Sequence, residues 1–259
     1  MGVVDAVGTD VIDFKPGDRV AYAGLIGSYS EARLVCASRL VHLPDSISDE
    51  VGATLMLRGI TAQVLLRQVY KVTPGDTILV HAAAGGLGLM MCQWAASLGV
   101  TVIGTVSNEE KAEIARAHGC HHTINYSREN FVERVCEITN GAMLPVVYDS
   151  VGKDTFAQSL DCLQPRGLMV ISGSASGPAP LVDPAALAHN GSLFLTRAVV
   201  FNYTTTRAGL DAAAADLFDA IATKKLKISI NQRYPLSEAA QAHHDLESRC
   251  TTGATILTV

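Results

Sequence analysis

The chain has 259 residues, of which 48% are hydrophobic and 17% are charged, enough apolar material for a sizeable core in one or two domains. The net charge of −5 argues against a general attraction to nucleic acid or anionic membranes. Six cysteines without a C-x-x-C pair favour a reduced interior. Neither a signal-peptide pattern nor a run approaching the roughly 20 apolar residues that span a bilayer is present. We expect a soluble, cytoplasmic protein with a small-molecule partner.

The first part of the chain has the pattern of short strands and turns. Strand-like runs are "GVVDAVG", "RVAYA" and "GSYSEARLV", and a "KPGD" turn precedes the second. From Ser48 the pattern becomes helical, because a serine that can cap a helix is followed by acidic residues and then by apolar residues at helical spacing. A β-rich segment followed by a long helix is therefore predicted.

Between Thr77 and Thr196 strands and helices alternate. The predicted strands are "TILVHA", "TVIGTV", "HTIN", "LPVVYD", "GLMVIS" and "LFLT". Helices follow the first four: "GLGLMMCQWAASLG", "NEEKAEIARAHG", "NFVERVCEITNG" and "KDTFAQSLDCL". Apolar strands separated by helices are typical of a parallel sheet covered on both faces. The fold class is therefore α/β, a doubly wound, six-stranded parallel Rossmann sheet, followed by two helices and short strands after residue 198.

The stretch "HAAAGGLG" occupies the turn between the first of these strands and its helix. It places Ala83, Gly85 and Gly88 at the three positions of a dinucleotide-binding fingerprint, with alanine in place of the first glycine. Free N–H groups at a helix start and residues without side chains let a pyrophosphate approach the backbone. Ala83 requires only that its φ stay negative. The alternative is a glycine-rich turn that merely packs the helix on the strand.

The end of the second strand favours NADPH over NADH. An NAD-binding site would carry an acidic residue there, whereas this chain has Ser107, with Lys111 one helical turn later. A hydroxyl and an ammonium suit a 2′-phosphate. Glu109 and Glu110 complicate this interpretation unless they serve the helix N-terminus. Tyr126, at the end of the third strand, is a candidate to contact the adenosine phosphate or to fill the core.

Several collinear blocks resemble the zeta-crystallin-type quinone oxidoreductases of the medium-chain dehydrogenase/reductase superfamily. The blocks are "GDRVAYA", "HAAAGGLGLMMCQWAASLG", "IGTVSNEEKAEIA", "INYSREN", "VVYDSVGKDTF", "LDCLQPRGLMV" and "AHHDLESRCTTG". The resemblance runs from Gly2 to Val259. It implies NADPH as cofactor, a homodimer, and reduction of quinones or related activated carbonyl or enone acceptors without a metal.

The resemblance also implies which residues contact the cofactor. Thr61, Gly86 and Leu87 match positions along the pyrophosphate and nicotinamide. Ser107, Lys111 and Tyr126 match the 2′-phosphate positions, in agreement with the residues alone. The remaining matches are a loop under the nicotinamide ribose, a segment whose backbone faces the carboxamide, and a late arginine: Ser172, Gly173 and Ser174; Val199 and Phe201; Arg249.

No metal site is expected. Zinc-dependent relatives carry a four-cysteine lobe after the "GDRV" turn, whereas this chain has no cysteine before Cys36, and Arg58 stands where those relatives have a zinc-ligand cysteine. Transfer to the acceptor would then depend on bringing it against the nicotinamide in a dry site. Arg58 and Tyr22 are the candidates to stabilise negative charge on the acceptor. His81 is expected to be a packing residue.

The resemblance predicts a GroES-like, β-rich substrate domain in residues 1–55, an NADPH-binding domain in residues 56–198, and a return to the substrate domain in residues 199–259. Met1 matches the middle of a family strand, so the substrate domain is expected to be truncated, in a genuine short form or in an incomplete sequence. Two alternatives to quinone reduction stay open. One is an enone, alkenal or enoyl reductase of the same superfamily, and the other is a catalytically weak NADPH-binding protein with a regulatory or RNA-binding role.

Overall fold

The computed structural model describes residues 1–24, 26–248 and 251–259. Its strands, in chain order, are β1 (Gly2–Val3), β2 (Arg19–Ala21), β3 (Val41–His42), β4 (Thr77–Val80), β5 (Thr101–Val106), β6 (His122–Asn125), β7 (Leu144–Asp149), β8 (Leu163–Ile171), β9 (Phe194–Arg197), β10 (Ile230–Pro235) and β11 (Ala254–Thr258).

The α-helices are α1 (Asp49–Val64), α2 (Gly86–Ser97), α3 (Glu109–Ala117), α4 (Phe131–Ile138), α5 (Phe156–Asp161), α6 (Pro184–His189), α7 (Val200–Tyr203), α8 (Arg207–Ala222) and α9 (Ala239–Glu247). A π-helical turn at Leu65–Val69 continues α1, and short 3₁₀ helices lie at Ala37–Arg39 and Leu236–Glu238. In the part of the chain that is described, no helix combines the length and the apolar character needed to cross a membrane.

The chain divides into two compact units. The first contains Met1–Gln63 and Val200–Val259, and the second contains Val64–Val199. The second unit holds a six-stranded sheet in the order β6-β5-β4-β7-β8-β9. All of its strands are parallel. This confirms the predicted doubly wound α/β architecture.

The core of the second unit lies on this sheet. Each of five strands contributes an inward side chain with no measurable exposure: Leu79, Ile103, Ile124, Val147 and Met169. Phe131 of α4 and Phe156 of α5 pack against the same cluster. Burial on both faces explains why the strands appear in the sequence as continuous apolar runs rather than as alternating patterns.

The first unit contains two small sheets. β1, β2 and β3 are antiparallel, with Val20 opposite both Gly2 and His42. β10 and β11 form a parallel pair. Helix α1 begins as the sequence predicted, since the Ser48 hydroxyl accepts a hydrogen bond from the Val51 amide at 3.4 Å. Phe14, Val20 and Leu40 form a buried cluster beside the antiparallel sheet.

One predicted strand was wrong. Residues 26–35 are all described and contain no strand, although "GSYSEARLV" has the composition of one. Gly27 has a φ of +94°, and the Arg33 guanidinium donates to the Ile26 carbonyl at 3.0 Å and to the Ser28 hydroxyl at 3.2 Å. These local bonds hold the segment as a compact loop. The predicted strand "GVVDAVG" also shortens to Gly2–Val3, and α6 and α7 were not predicted.

Candidate cofactor site

The candidate residues of the second unit lie where its parallel strands end. β4, the first strand of this sheet in chain order, lies between β5 and β7. The chain extends the sheet from β4 to β6 on one side and then returns to continue it from β7 to β9 on the other side. Ligands of such sheets bind outside the carboxyl ends of the strands at this switch point. The His81 amide donates to the Tyr148 carbonyl at 3.0 Å, so the turn after β4 begins at this point.

The glycines of the turn fulfil two different requirements. Gly85 precedes α2 with extended backbone angles, and its amide donates to the Ala82 carbonyl at 2.8 Å. A Cβ added at Gly88 would lie 2.4 Å from the Ala82 oxygen and 2.8 Å from the Ala83 Cα, so a side chain at Gly88 would push α2 away from the turn. With no side chain at the cap position, the first amides of α2 are left for a ligand. The geometry fits a pyrophosphate.

Ala83 occupies the first fingerprint position without strain. The residue with left-handed backbone is its neighbour Ala82, whose φ is 53°, and the Ala83 amide donates to the Thr105 carbonyl at 3.0 Å. The Ala83 methyl group packs on Gly104 of β5, where an added Cβ would lie 2.5 Å from it. The glycine on the adjacent strand makes room for the alanine, a relationship that the sequence prediction missed. A lone glycine within a strand was the available signal.

Ser107, Lys111 and Tyr126 lie around the ends of β5 and β6. The Asn108 side chain accepts from the Lys111 amide at 2.9 Å and so starts α3 directly after Ser107. The Ser127 hydroxyl donates to the Ser107 carbonyl at 3.1 Å, which connects the two strand ends. Tyr126 is 48% exposed. Ser107 and Lys111 are partly buried, so each of the three candidates keeps some exposure to solvent.

Two of the glutamates of α3, Glu109 and Glu110, lie in its first turn, where their charge could oppose a phosphate. The Glu109 carboxylate pairs with Arg116, seven residues along the helix, and this pairing offsets its charge. Lys111 is only partly buried and forms no ion pair with any residue that the structure describes. Lys111 is therefore available to an anion at this corner.

The loops after β7 and β8 are bound to each other. The Ser172 amide donates to the Asp149 carbonyl at 2.7 Å, and the Ala175 amide donates to the Ser150 carbonyl at 3.1 Å. A Cβ at Gly173 would lie 2.6 Å from the Ser150 oxygen, so the close approach requires glycine. Residues 172–174 are therefore fixed in position next to the switch point.

Two buried polar residues, Asp149 and His81, lie next to these loops. The buried Asp149 carboxylate accepts from the Val151 amide at 2.7 Å, from the Gly152 amide at 2.9 Å and from the Thr155 hydroxyl at 2.8 Å. Asp149 thus holds the turn after β7.

The His81 ring lies within 2.9 Å of the hydroxyls of both Thr105 and Ser159. The ring meets Phe131 edge-on. Burial lowers the pKa of His81 from 6.5 to about 4, although the Asp149 charge acts in the opposite direction. The imidazole is therefore neutral at pH 7, and His81 is the packing residue that was expected. Thr105 and Ser159 were not predicted.

The remaining candidates are Thr61 and Phe201 of the first unit, Val199 and Arg249. In the first unit, the Thr61 hydroxyl donates to the Leu57 carbonyl at 2.7 Å, and the Phe201 ring packs on Gly24, where an added Cβ would lie 2.1 Å from the ring. Val199 follows β9 and is 44% exposed. Arg249 lies outside the described residues.

The two candidates for the acceptor side have different surroundings. The Tyr22 hydroxyl receives a bond from the Arg33 guanidinium at 3.3 Å and donates to the Ser28 hydroxyl at 3.3 Å, so it belongs to the local loop network. The partly buried Arg58 donates to the Gly253 carbonyl at 3.3 Å. Burial lowers the pKa of Arg58 below its usual value.

Known proteins resemble this chain in both sequence and structure. The family model described as zinc-binding dehydrogenase matches residues 86–215. A quinone oxidoreductase of Pseudomonas aeruginosa is 54% identical over 257 residues, which cover 99% of this chain and 79% of that protein. The chain belongs to the quinone oxidoreductases of the medium-chain dehydrogenase/reductase superfamily.

Two further relatives bear on the site of this quinone oxidoreductase family member. The crystal structure of Escherichia coli quinone oxidoreductase complexed with NADPH is 46% identical and superposes with a TM-score of 0.97, covering 100% of this chain and 80% of that one. A 2-haloacrylate reductase from a Burkholderia species is 50% identical, covering 98% of this chain and 78% of that protein. The family therefore includes at least two acceptor classes by name.

The name of the family model includes zinc, but the described part of this chain offers no set of zinc ligands. Among residues 1–24, 26–248 and 251–259, no three histidine, cysteine, aspartate or glutamate side chains gather closely enough to hold a metal ion. Zinc sites need three or four such ligands.

Proposed function

We propose that this protein is an NADPH-dependent quinone reductase. The observation that carries the proposal is its likeness, over 100% of the chain and with a TM-score of 0.97, to a quinone oxidoreductase complexed with NADPH. The bound dinucleotide would supply a hydride or electrons at its nicotinamide. The protein would supply binding, orientation and exclusion of water.

The cofactor contacts divide between three parts of the sheet edge. Residues 85–88 would bind the pyrophosphate through backbone amides at the start of α2. Ser107, Lys111 and Tyr126 would hold the 2′-phosphate. The loop of residues 172–174 would support the nicotinamide ribose, since its bonds to the loop after β7 fix its position.

Residues outside that edge would complete the cofactor contacts. We assign Thr61 to the nicotinamide path, and Val199 and Phe201 to the carboxamide through their backbone. Residues 56–198 would then form the NADPH-binding domain, with residues 1–55 and 199–259 on the substrate side.

Initial rates of NADPH oxidation test this function. The full chain is assayed with 1,4-benzoquinone and 1,4-naphthoquinone, with NADH in place of NADPH as the cofactor comparison. We expect turnover that depends on both protein and quinone and that is faster with NADPH at equal concentration. Tight NADPH binding without turnover on any quinone or enone would indicate the catalytically weak nucleotide-binding alternative.

The 50% identity to a 2-haloacrylate reductase favours a second candidate, reduction of an activated alkene. It would use the same cofactor site and differ only in the acceptor. The ratio of kcat/KM for 1,4-naphthoquinone to that for 2-chloroacrylate separates the two functions. A ratio well above one supports quinone reduction, and a ratio well below one supports the alkene.

We also propose a cytoplasmic homodimer, as the zeta-crystallin-type resemblance implies. Light scattering of the protein as it elutes from a size-exclusion column is expected to give twice the chain mass of 27.3 kDa. A monomer at assay concentration would contradict the dimer. Fractionation of cells that express the protein checks its location.

A further inference from the structure

Arg58 is a partly buried cation with no carboxylate partner among the residues that the structure describes. It lies in α1, and its Nη1 donates to the Gly253 carbonyl at 3.3 Å. Burial alone accounts for its lowered pKa, with no acidic neighbour acting against it. Guanidinium remains charged at neutral pH even so. The positive charge is thus partly removed from water without compensation by any residue that the structure describes.

Three other arginines of the same unit are neutralised by carboxylates. Arg19 bonds the Asp49 carboxylate at 2.6 Å, Arg207 bonds Asp211 at 2.8 Å, and Arg233 bonds both oxygens of Glu50 at 2.7 and 2.8 Å. Arg19 and Arg207 are partly buried like Arg58, and Arg233 is exposed, yet each of these three has its own carboxylate. Unlike these three, Arg58 faces a backbone carbonyl, that of Gly253, instead of a carboxylate.

The carbonyl that receives the Arg58 bond is held firmly. Gly253 has a φ of +66°, and an added Cβ would lie 2.7 Å from the Ser229 oxygen, so the turn at Gly253 is tight. The next amide, of Ala254, donates to that same Ser229 oxygen at 2.8 Å. The guanidinium is therefore anchored on one side, which leaves its other N–H groups for an incoming oxyanion. Planar guanidinium groups bind carboxylates through two parallel hydrogen bonds.

The stretch of α1 around Arg58 also carries an exposed apolar residue and a candidate cofactor contact. Leu57 next to it is 50% exposed, which offers apolar surface. Thr61, assigned above to the nicotinamide path, follows Arg58 by three residues and so lies on the same side of α1. A cation, an apolar side chain and a cofactor-contact residue then share one stretch of helix.

We propose that Arg58 is the acceptor-recognising cation of this protein and selects quinones or enones that carry a carboxylate or another fixed anion over neutral acceptors. This inference rests on the proposed function for its reaction. It concerns the charge of the acceptor, which the proposed function leaves open.

The test uses two acceptors that differ in charge and by one methyl group: a 1,4-naphthoquinone with a 2-carboxyethyl side chain, and its methyl ester. The measured quantity is the ratio of kcat/KM for the acid to kcat/KM for the ester, with NADPH saturating. We expect the ratio to exceed one in the unaltered protein and to fall roughly tenfold in Arg58→Gln, because a charge-assisted hydrogen-bonded pair is lost. Arg58→Lys keeps the charge and should retain part of the preference.

Arg39→Gln is the matched control. Arg39 is also a partly buried arginine of the first unit and donates to a backbone carbonyl, that of Thr204, at 3.5 Å. It should leave the acid-to-ester ratio unchanged. An equal ratio in Arg58→Gln and the unaltered protein, or an equal loss in Arg39→Gln, overturns the proposal. A merely structural role for Arg58 would lower both rates together and keep the ratio.

Equilibrium binding separates this inference from the proposed function. The same two quinones are titrated into the protein loaded with NADP⁺, which cannot reduce them. Tighter binding of the acid than of the ester, lost in Arg58→Gln, supports the Arg58 proposal even if turnover is absent, in which case only the proposed function fails. Binding that does not distinguish acid from ester overturns the Arg58 proposal even if quinones are reduced.

Discussion

The methyl group of Ala83 lies against the Cα of Gly104. A Cβ at Gly104 would approach the Ala83 Cβ to 2.5 Å and the Cys120 sulfur to 2.6 Å. The alanine in the fingerprint is thus accommodated by the absence of a side chain on the adjacent strand. Gly104→Ala is expected to lower the free energy of unfolding by about 1–3 kcal/mol, the usual cost of overpacking a core. Urea unfolding measures the loss.

Two further variants test whether the stability loss in Gly104→Ala comes from the clash of the added Cβ. Gly2→Ala adds a Cβ with no atom within 4 Å and is expected to leave the stability unchanged within about 0.5 kcal/mol. Adding Ala83→Gly to Gly104→Ala removes one of the two clashes and should restore part of the loss. Full stability in the single Gly104→Ala variant would show that the strand relaxes freely, contrary to the packing described.

Gly88→Ala tests the close approach of α2 to the turn. The added Cβ would meet backbone atoms, the Ala82 oxygen at 2.4 Å and the Ala83 Cα at 2.8 Å, which cannot rotate away. We expect the helix start to shift and NADPH to bind at least roughly tenfold more weakly, equivalent to about 1.4 kcal/mol. Fluorescence titration with NADPH measures the affinity, and circular dichroism verifies that the variant is folded. Unchanged affinity in a folded variant would remove residues 85–88 from the pyrophosphate site.

Lys111→Ala tests the 2′-phosphate assignment. Loss of a charged hydrogen-bond donor is expected to weaken NADPH roughly tenfold or more while changing NADH by less than about twofold, because only NADPH carries the phosphate. Lys71→Ala removes an exposed lysine elsewhere in the same unit and should alter neither cofactor. Equal weakening of both cofactors by Lys111→Ala would contradict the assignment.

The buried His81 predicts a pH dependence of stability. Its pKa is depressed from 6.5 to about 4 in the folded chain, so at pH values between these the unfolded chain takes up a proton that the folded chain excludes. The contribution of His81 to the free energy of unfolding is therefore present in full above pH 6.5. It is lost as the pH falls toward 4, by up to about 3 kcal/mol. His81→Gln should flatten the dependence of the unfolding free energy on pH across this window.

Ser159→Ala is the control for His81. It removes one hydroxyl beside the ring, a contact of 2.9 Å, but leaves the imidazole in place. The unfolding free energy should fall at every pH while its slope between pH 6.5 and 4 is retained. A slope in His81→Gln as steep as in the unaltered chain would mean that other groups cause the acid sensitivity.

The regular part of the fold was predictable because its physical signals are local. Apolar runs such as "TILV", bounded by glycines and followed by helical spacing, specify buried parallel strands, and all six appear in one sheet. The first unit was harder, because short strands carry few residues of pattern. The "GSYSEARLV" segment has strand composition, but the bonds of Arg33 to its own loop compete with sheet formation.

The candidate site was predictable to the extent that it follows from strand ends. Gly85, Ser107 and Ser172 each come directly after or close to a strand terminus, and parallel strands bring such termini to one edge. The pairing of Ala83 with Gly104 and of His81 with Thr105 and Ser159 depends on which strands and helices are neighbours. Side-chain contacts of this kind between distant residues have no local signal.

The central claim is that this chain uses NADPH to reduce quinones. Its most direct test is the initial rate of NADPH oxidation by the full chain with 1,4-naphthoquinone, measured beside Lys111→Ala at the same subsaturating NADPH concentration. We predict a protein-dependent and quinone-dependent rate that falls roughly tenfold in the variant and is largely recovered at saturating NADPH. Saturable NADPH binding with no rate above that of the quinone and NADPH alone would contradict the claim.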